Sequence, residues 1–225
     1  MYIGIIAEGK GDLAVITNIL KGKLSVDKSD VEYLQPELDF DETDLHQMRA
    51  EQFSNWALVR ETCMKKRKLS DFFSIDEERY VIIHIDTAEA EETNYEVERP
   101  VKRDNPSYSK ELRDNVTDRI NEWLDNQFSD EIFYAIAIEE TEAWVLTIYT
   151  DRQGDTCRYN DPKKELDRVL NKKLSKKEKK VLTLGNDLIK FDKLTRRFGK
   201  AKHLSKFVLL NESLNFFCKS LETIK

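Results

Sequence analysis

Short apolar runs that alternate with longer amphipathic segments constrain the fold of this chain more than any other feature of its sequence. The runs are about half a dozen residues long, as in Phe133–Ile138, which suits buried parallel strands and is far too short to cross a membrane. The segments between them carry apolar residues at helical spacing, such as Leu13, Ile16 and Leu20. Strands that alternate with helices predict an α/β fold with a doubly wound, mostly parallel sheet flanked by helices.

The elements can be placed approximately from this pattern. Strands are predicted at Tyr2–Ala7, Val31–Leu34, Tyr80–Asp86 and Ile132–Ile138. Helices are predicted after Asp12, within Thr43–Phe73, along Leu112–Leu124, and roughly over 141–150, 161–173, 175–183, 186–198 and 211–222.

The net charge of −6, from 37 Lys+Arg and 43 Asp+Glu, hides a division of the chain. Residues 1–160 carry 19 basic and 35 acidic residues, a balance of −16, whereas residues 161–225 carry 18 and 8, a balance of +10. We therefore predict an α/β domain over 1–160 and a basic helical region over 161–225 packed on it; one continuous domain is the alternative. The basic surplus favours an anionic partner such as nucleic acid, and solvated helix faces are the alternative explanation.

Seven basic residues are the candidate phosphate contacts. Lys10 follows the first strand at a glycine turn, beside the free amides of a helix N-terminus. The full G-x-x-x-x-G-K-[ST] spacing of a nucleotide-binding phosphate loop is absent there. The predicted nucleic-acid-binding residues are Lys10, Lys163, Lys164, Arg196, Arg197, Lys200 and Lys202.

Cysteine usage and the start of the chain indicate its compartment. The three cysteines form no C-x-x-C pair, so the sequence suggests neither a disulfide framework nor a thiolate zinc site. The first apolar run turns acidic at once, unlike a signal peptide. We expect a soluble cytoplasmic protein that does not enter a membrane.

Acidic residues follow the three strongest predicted strands. Because ligands of open α/β sheets bind beyond the carboxyl ends of the strands, these acids are expected to converge at one edge of the sheet. Clustered carboxylates repel one another, and a divalent cation is the usual remedy. Oxygen-only ligands favour Mg²⁺ or Mn²⁺ over Zn²⁺. The predicted metal ligands are Glu8, Asp12, Asp86, Glu139, Glu140 and Glu142.

Two of these segments resemble the Toprim domain. Ile5–Asp12 resembles its first motif, an apolar strand followed by Glu-Gly-x-x-Asp at the start of a helix, and Tyr80–Asp86 resembles its later strand, which ends in Asp-x-Asp. The segment Ala135–Leu146 is similar to a strand-then-helix motif of stand-alone Toprim-like nucleases of bacterial anti-phage defence systems, relatives of the RloB and OLD types. The resemblance implies a Toprim-like Rossmannoid fold. The matching motifs total about 25 residues.

The second acid of Asp-x-Asp is missing. With Asp86 as the first acid of the motif, the second position is Ala88; with Asp86 as the second acid, the first position is His84. The first register is preferred because the apolar strand runs up to Ile85 and would include His84. Glu89, Glu91 and Glu92 are near enough in sequence to replace it. One metal or two, and a scaffold without catalysis, are therefore all open at this point.

The resemblance implies a Mg²⁺-dependent nuclease that cleaves phosphodiester bonds in DNA or RNA. Glu8 would be a catalytic metal ligand and general base, and Asp86 a catalytic metal ligand. Such proteins often work with a separately encoded ATPase. The alternative function is a catalytically inactive adaptor or regulatory subunit that binds nucleic acid or a partner protein.

Overall fold

The computed structural model describes residues 1–36, 56–101, 107–150, 155–158, 160–183 and 187–224. Within these ranges, four parallel strands form a single sheet. Every predicted strand is confirmed to within one residue at each end, and the predicted α/β fold with a parallel sheet between helices is confirmed with them. The strands are β1 Tyr2–Ile6, β2 Val31–Gln35, β3 Arg79–Asp86 and β4 Ile132–Ala137.

Helices connect these strands and make up most of the described chain after β4. None of the helices in the described ranges is long and apolar enough to cross a membrane. The helices are α1 Lys10–Leu24, α2 Trp56–Lys65, α3 Arg67–Phe73, α4 Tyr108–Trp123, α5 Glu142–Tyr149, α6 Pro162–Lys173, α7 Lys176–Thr183, α8 Asp187–Thr195, α9 Ala201–Phe207 and α10 Glu212–Ser220.

The helices differ from the predicted ones in two places. The predicted helical pattern over Thr43–Phe73 lies outside the described residues before position 56, and the rest of it is divided by Lys66, whose φ of 54° ends α2 and precedes α3. The helix predicted over 186–198 ends at Thr195, and α9 follows it unpredicted. In α9 only Leu204 and Phe207 are buried, and two apolar positions are too few to establish a helical period.

The strand order β2-β1-β3-β4 places a topological switch point between β1 and β3. The chain leaves β1 through α1 to reach β2 on one side, and later returns to add β3 on the other side of β1. The connections from the two strands therefore diverge, and a crevice opens between the carboxyl ends of β1 and β3. In open α/β sheets this crevice is the usual place for a ligand.

Two apolar layers cover the two faces of the sheet. One layer contains α1 and α5 together with the helices that follow, and its buried residues include Ile16, Trp144 and Leu214. The other layer contains α2, α3 and α4, with Val59 and Ile120 in its core. The helices beyond residue 160 thus share a core with α1, whereas the predicted division at residue 160 stays a prediction.

Candidate active site

A cleft of about 340 Å³ lies at the switch point, at the carboxyl ends of β1 and β3. It combines carboxylates with lysines and one aromatic ring. The residues that line it are Glu8, Gly9, Lys10, Gly11, Asp12, Asp86, Ala88, Glu89, Glu140, Glu142, Lys163, Asp187, Lys190 and Phe191.

The loop after β1 holds two of the carboxylates. Glu8 follows the buried Ala7 and is only partly exposed. Gly9 precedes α1, and its backbone N–H donates to Asp12 Oδ2 at 2.9 Å. This bond satisfies an amide that the helix start leaves without a partner and fixes Asp12 over the first turn of α1.

The end of β3 is bonded directly to the end of β1. The backbone N–H of Asp86 donates to Glu8 Oε1 at 2.6 Å. The Tyr95 hydroxyl donates to the Asp86 carbonyl oxygen at 2.9 Å. These bonds hold the carboxylate of Glu8 against the backbone of Asp86, so the two acids predicted from separate strands lie side by side.

A buried hydrogen-bonded relay orients the Asp86 side chain. The Thr141 hydroxyl donates to Asp86 Oδ1 at 3.0 Å, and His84 Nε2 lies 3.0 Å from the same hydroxyl. The Thr141 hydroxyl thus connects the imidazole of His84 to the carboxyl group of Asp86. The fully buried imidazole packs edge-on against Trp144 with 5.6 Å between the ring centroids. Burial lowers the pKa of His84, which keeps the ring neutral.

The carboxyl groups of Glu8, Asp86 and Glu142 in the cleft have raised pKa values, with burial as the largest cause. Burial, and then the neighbouring carboxylates of Asp12 and Glu89, raise the pKa of Glu8 to about 8 against the Asp86 amide, which lowers it. Burial and the carboxylates of Glu8 and Asp12 raise the pKa of Asp86 well above its usual range. Burial raises the pKa of Glu142 to about 7. In the described part of the chain, no Lys or Arg forms an ion pair with Glu8, Asp12 or Asp86.

Of the three acidic residues after β4, two line the cleft and one does not. Glu140 and Glu142 line the cleft, and Glu140 accepts a hydrogen bond from the Lys163 backbone N–H at 2.9 Å. Glu139 is not among the lining residues: it is buried with a φ of 64°, and its carboxylate pairs with Arg99 at 2.7 Å. Arg99 also donates to the carbonyl oxygens of Thr87 and Ala88, both at 2.7 Å, so Glu139 and Arg99 brace the loops behind the cleft.

The position of the missing acid also lies in the cleft. Ala88 lines it, as does its neighbour Glu89, whose pKa is raised by partial burial and by Glu92 and Glu140. The other two possible replacements make contacts of their own. Glu91 pairs with Arg99 at 3.4 Å, and Glu92 accepts a hydrogen bond from Trp56 Nε1 at 3.1 Å.

The predicted phosphate contacts fall into two groups. Lys10 and Lys163 line the cleft. Lys164 follows Lys163 in the first turn of α6, where its backbone N–H donates to the capping Asp161 at 2.9 Å. The remaining four lie beyond the end of α8, away from the cleft; they are Arg196, Arg197, Lys200 and Lys202.

Four helices begin at the cleft. A residue of the first turn of each lines it: Lys10 of α1, Glu142 of α5, Lys163 of α6 and Asp187 of α8. The start of a helix carries partial positive charge and free N–H groups. The helix starts therefore add a positive backbone field around the carboxylates of the cleft, and Asp12, Glu140 and Asp161 already accept hydrogen bonds from backbone N–H groups at the starts of α1 and α6.

Comparison with known proteins identifies no relative. No protein-family model, no curated protein and no solved structure matches this chain. The chemistry of the cleft is thus the basis for a function.

The predicted set lacks Lys190 and Phe191, which line the cleft, and Thr141, which contacts Asp86. Thr141 lies between two predicted ligands, but nothing in the sequence distinguishes its hydroxyl from that of an ordinary helix-starting residue. Lys190 and Phe191 belong to a lysine-rich helical stretch with no motif of its own. Gly11 permits α8 to approach here, since a Cβ on Gly11 would lie 2.9 Å from the Phe191 ring.

The carboxylates do not form a preassembled metal cage. Among the residues that the structure describes, no three His, Cys, Asp or Glu side chains are arranged to hold a metal ion. Carboxylates that are left charged without a cation repel one another. The fit of a cation must therefore be argued from the donor types and the charge of the cleft.

Proposed function

We propose that this chain is a Mg²⁺-dependent nuclease of the Toprim type, which hydrolyses phosphodiester bonds in DNA or RNA. The observation that carries the proposal is the meeting of Glu8 and Asp86 at the switch point of the sheet. Their pKa values are raised by burial and by neighbouring carboxylates, with no ion pair to relieve them in the described residues. A divalent cation would relieve this repulsion.

The donor set of the cleft fits such a cation. Glu8, Asp12 and Asp86 would hold it, and the nearby carboxylates of Glu140 and Glu142 are available to complete its surroundings. Carboxylate oxygens without sulfur or clustered imidazole suit Mg²⁺ or Mn²⁺. Bound there, Mg²⁺ would supply positive charge to a phosphate and increase the acidity of a water.

The chain's own residues supply the remaining functions. Glu8 is the general base that takes a proton from the attacking water, because its carboxyl group lies in the cleft at the end of β1 and the cation would keep it ionised there. Thr141 keeps Asp86 in one orientation. Lys10, Lys163 and Lys190 bind the phosphates at the rim, beside the amides of the helix starts.

The test is cleavage by purified protein in Mg²⁺ or Mn²⁺, with plasmid, single-stranded DNA and tRNA as substrates. We expect Asp86→Asn and Glu8→Gln to lower cleavage by at least about 100-fold. Asp71→Asn and Glu61→Gln are the matched controls, because both side chains are exposed on α3 and α2 outside the cleft. Cleavage that survives in the cleft variants, or an inactive wild type under all conditions, would overturn the proposal.

The proposal includes a partner. The sequence carries no complete phosphate-loop motif, and the resemblance to defence nucleases of the cytoplasm implies a separately encoded ATPase that licenses cleavage. The cleavage assay is therefore run with and without an ATPase encoded beside this chain. Activity that requires ATP and the second protein supports this partner; full activity of the chain alone argues against it.

A second function is favoured by Ala88. This residue lines the cleft at the position where the motif has an acid, so the cleft has one ligand fewer than the Toprim pattern. The alternative is a catalytically inactive adaptor that binds nucleic acid or a partner protein. A Mn²⁺ titration followed by thermal shift separates the two: a rise in Tm that Asp86→Asn abolishes favours the nuclease, and no rise favours the adaptor.

A further inference from the structure

Helix α8 and the turn that follows it pack along α1 from the cleft to the last turn of α1. Near the cleft, Phe191 abuts Gly11. Midway, Asn18 Nδ2 donates to Thr195 Oγ1 at 3.0 Å. At the far end, a Cβ on Gly22 would lie 1.9 Å from the Phe198 carbonyl oxygen. The segment from Phe191 to Phe198 thus packs against α1 from Gly11 to Gly22.

Basic side chains follow this path from one end to the other. Lys190 lines the cleft, and Lys193, one helical turn later, is exposed. Arg196 follows in the turn after α8 and is also exposed. Lys200 and Lys202 continue the series to the start of α9 and are exposed as well. We name these five residues the α8 basic track.

The α8 basic track lacks carboxylate partners. None of its five cations forms an ion pair in the described part of the chain. Some cations elsewhere are paired, as in Lys110 with Asp114 and Arg168 with Glu165. Asp187, at the cleft, and Asp192, which pairs with Lys28 at 3.4 Å, lie on α8 itself, and Glu178 of α7 lines the same surface pocket as Lys193.

The far end of the track is a concentrated positive patch. Arg197 stacks over the Phe207 ring at 4.9 Å and donates to the Ile148 carbonyl oxygen at 3.0 Å, so its guanidinium is fixed beside the track. Slight burial, and then the cations Arg197, Lys200, Lys206 and Lys202, lower the pKa of His203. Arg197, Lys200, Lys202 and Lys206 also lie within ten residues of one another, from the turn after α8 to the last turn of α9.

The length of the track corresponds to several nucleotides. From Gly11 to Gly22, α1 extends about 16 Å. One strand of a duplex presents a phosphate every 3.4 Å or so along its axis, so this length matches about five phosphates. An extended single strand would span it with fewer.

We propose that the α8 basic track binds the sugar–phosphate backbone of a nucleic-acid strand over up to about five phosphates. The placement of the scissile bond in the cleft rests on the proposed nuclease function. Binding along the track does not, because it needs neither the metal nor cleavage. The track is a charge-complementary surface without base-specific groups, so it recognises the backbone rather than the sequence.

Fluorescence anisotropy in EDTA, with labelled DNA and RNA single strands of increasing length and with a duplex, tests the binding. We expect Lys193→Gln/Arg196→Gln to weaken binding about 10-fold or more and to reduce the slope of log K against log salt by roughly 2. Lys110→Gln, an exposed lysine on α4, is the matched control and should bind as wild type. The affinity of the single strands should rise with length and level off at about six nucleotides or fewer.

The outcomes separate this proposal from the nuclease proposal. Binding that depends on the α8 basic track, without cleavage in the presence of any metal, supports the proposed binding surface and contradicts the proposed nuclease function. If the wild type cleaves nucleic acid and the double variant Lys193→Gln/Arg196→Gln binds and cleaves as well as wild type, the proposal of the α8 basic track is wrong. Tight binding of polyglutamate in place of nucleic acid would assign the track to an acidic protein partner and also overturn it. Tighter binding of the DNA or of the RNA probes shows which of the two backbones the α8 basic track prefers.

Discussion

The carboxyl group of Glu8 makes the stability of the metal-free protein depend on pH. Its pKa is raised to about 8 from an ordinary value near 4.5, so between these values the folded chain binds more protons than the unfolded chain. Stability therefore falls as pH rises from about 4.5 to about 8. Glu8→Gln removes this dependence and can still accept the Asp86 N–H, so we expect a Tm higher than wild type by about 4 °C or more at pH 8 in EDTA.

The same variant should differ little from wild type at pH 4.5, where the Glu8 carboxyl is already protonated when folded. Thermal unfolding at both pH values, followed by circular dichroism, gives the comparison. Glu61→Gln, which removes an exposed carboxylate, is the control and should leave the difference between the two pH values unchanged. A Glu8→Gln protein that is less stable than wild type at pH 8 would contradict the prediction.

Residues at strand ends were predictable, and residues that depend on local backbone conformation were not. Glu8 and Asp86 follow directly from the strands, because the ends of adjacent parallel strands meet at one edge. Glu139 has a φ of 64°, and this turn directs its carboxylate to Arg99 behind the cleft. Thr141 forms hydrogen bonds with His84 and Asp86 of β3, and no spacing within the sequence predicts that contact.

At the scale of elements, the contact between α1 and the turn after α8 depends on Gly22. A Cβ there would lie 1.9 Å from a backbone carbonyl oxygen, which cannot rotate away as a side chain can. We expect Gly22→Ala to lower the free energy of unfolding by about 1–3 kcal/mol, or a Tm lower by roughly 3–10 °C. Thermal and urea unfolding measure it.

Gly199, on the opposite side of this contact, provides the matched control. A Cβ on Gly199 would be 3.4 Å from its nearest neighbour, an ordinary contact. Gly199→Ala should therefore change stability by less than about 0.5 kcal/mol. Equal effects of the two substitutions would mean that the turn moves freely against α1, contrary to the structure.

Element by element, apolar periodicity was sufficient wherever a segment buried a full face. All four strands and the long helix α4 were predicted for this reason. The short helix α9 was missed, since its conformation is set by packing against α1 rather than by its own sequence. The division between α2 and α3 depends on the left-handed backbone of Lys66, which is not a residue type that signals such a conformation.

The whole molecule should unfold as a unit, because the helices beyond residue 160 complete the core around α1. Phe198, Phe207 and Leu214 belong to the same buried cluster as Ile16. We expect tryptophan fluorescence and far-UV circular dichroism of the full chain to change in a single coincident transition. A fragment of residues 1–160 should lose the near-UV signal of Trp144, which stacks on Phe217 in the intact protein.

A fragment that retains this signal and unfolds sharply would instead establish residues 1–160 as a domain of their own. Trp56 and Trp123 lie in the opposite layer and report on α2 and α4. Replacing both by Phe leaves Trp144 as the sole fluorescent reporter of the shared core. Its unfolding midpoint then indicates which of the two arrangements the chain has.

The four helix starts around the cleft also bear on how such a protein can change during evolution. Their field comes from peptide groups, which every amino acid carries, so side-chain substitution leaves it in place. Lys10, Lys163 and Lys190 can thus drift while the backbone contribution to the field of the cleft stays in place. Descendants of the same ancestor are expected to preserve the positions of these helix starts more faithfully than the identity of any single lysine.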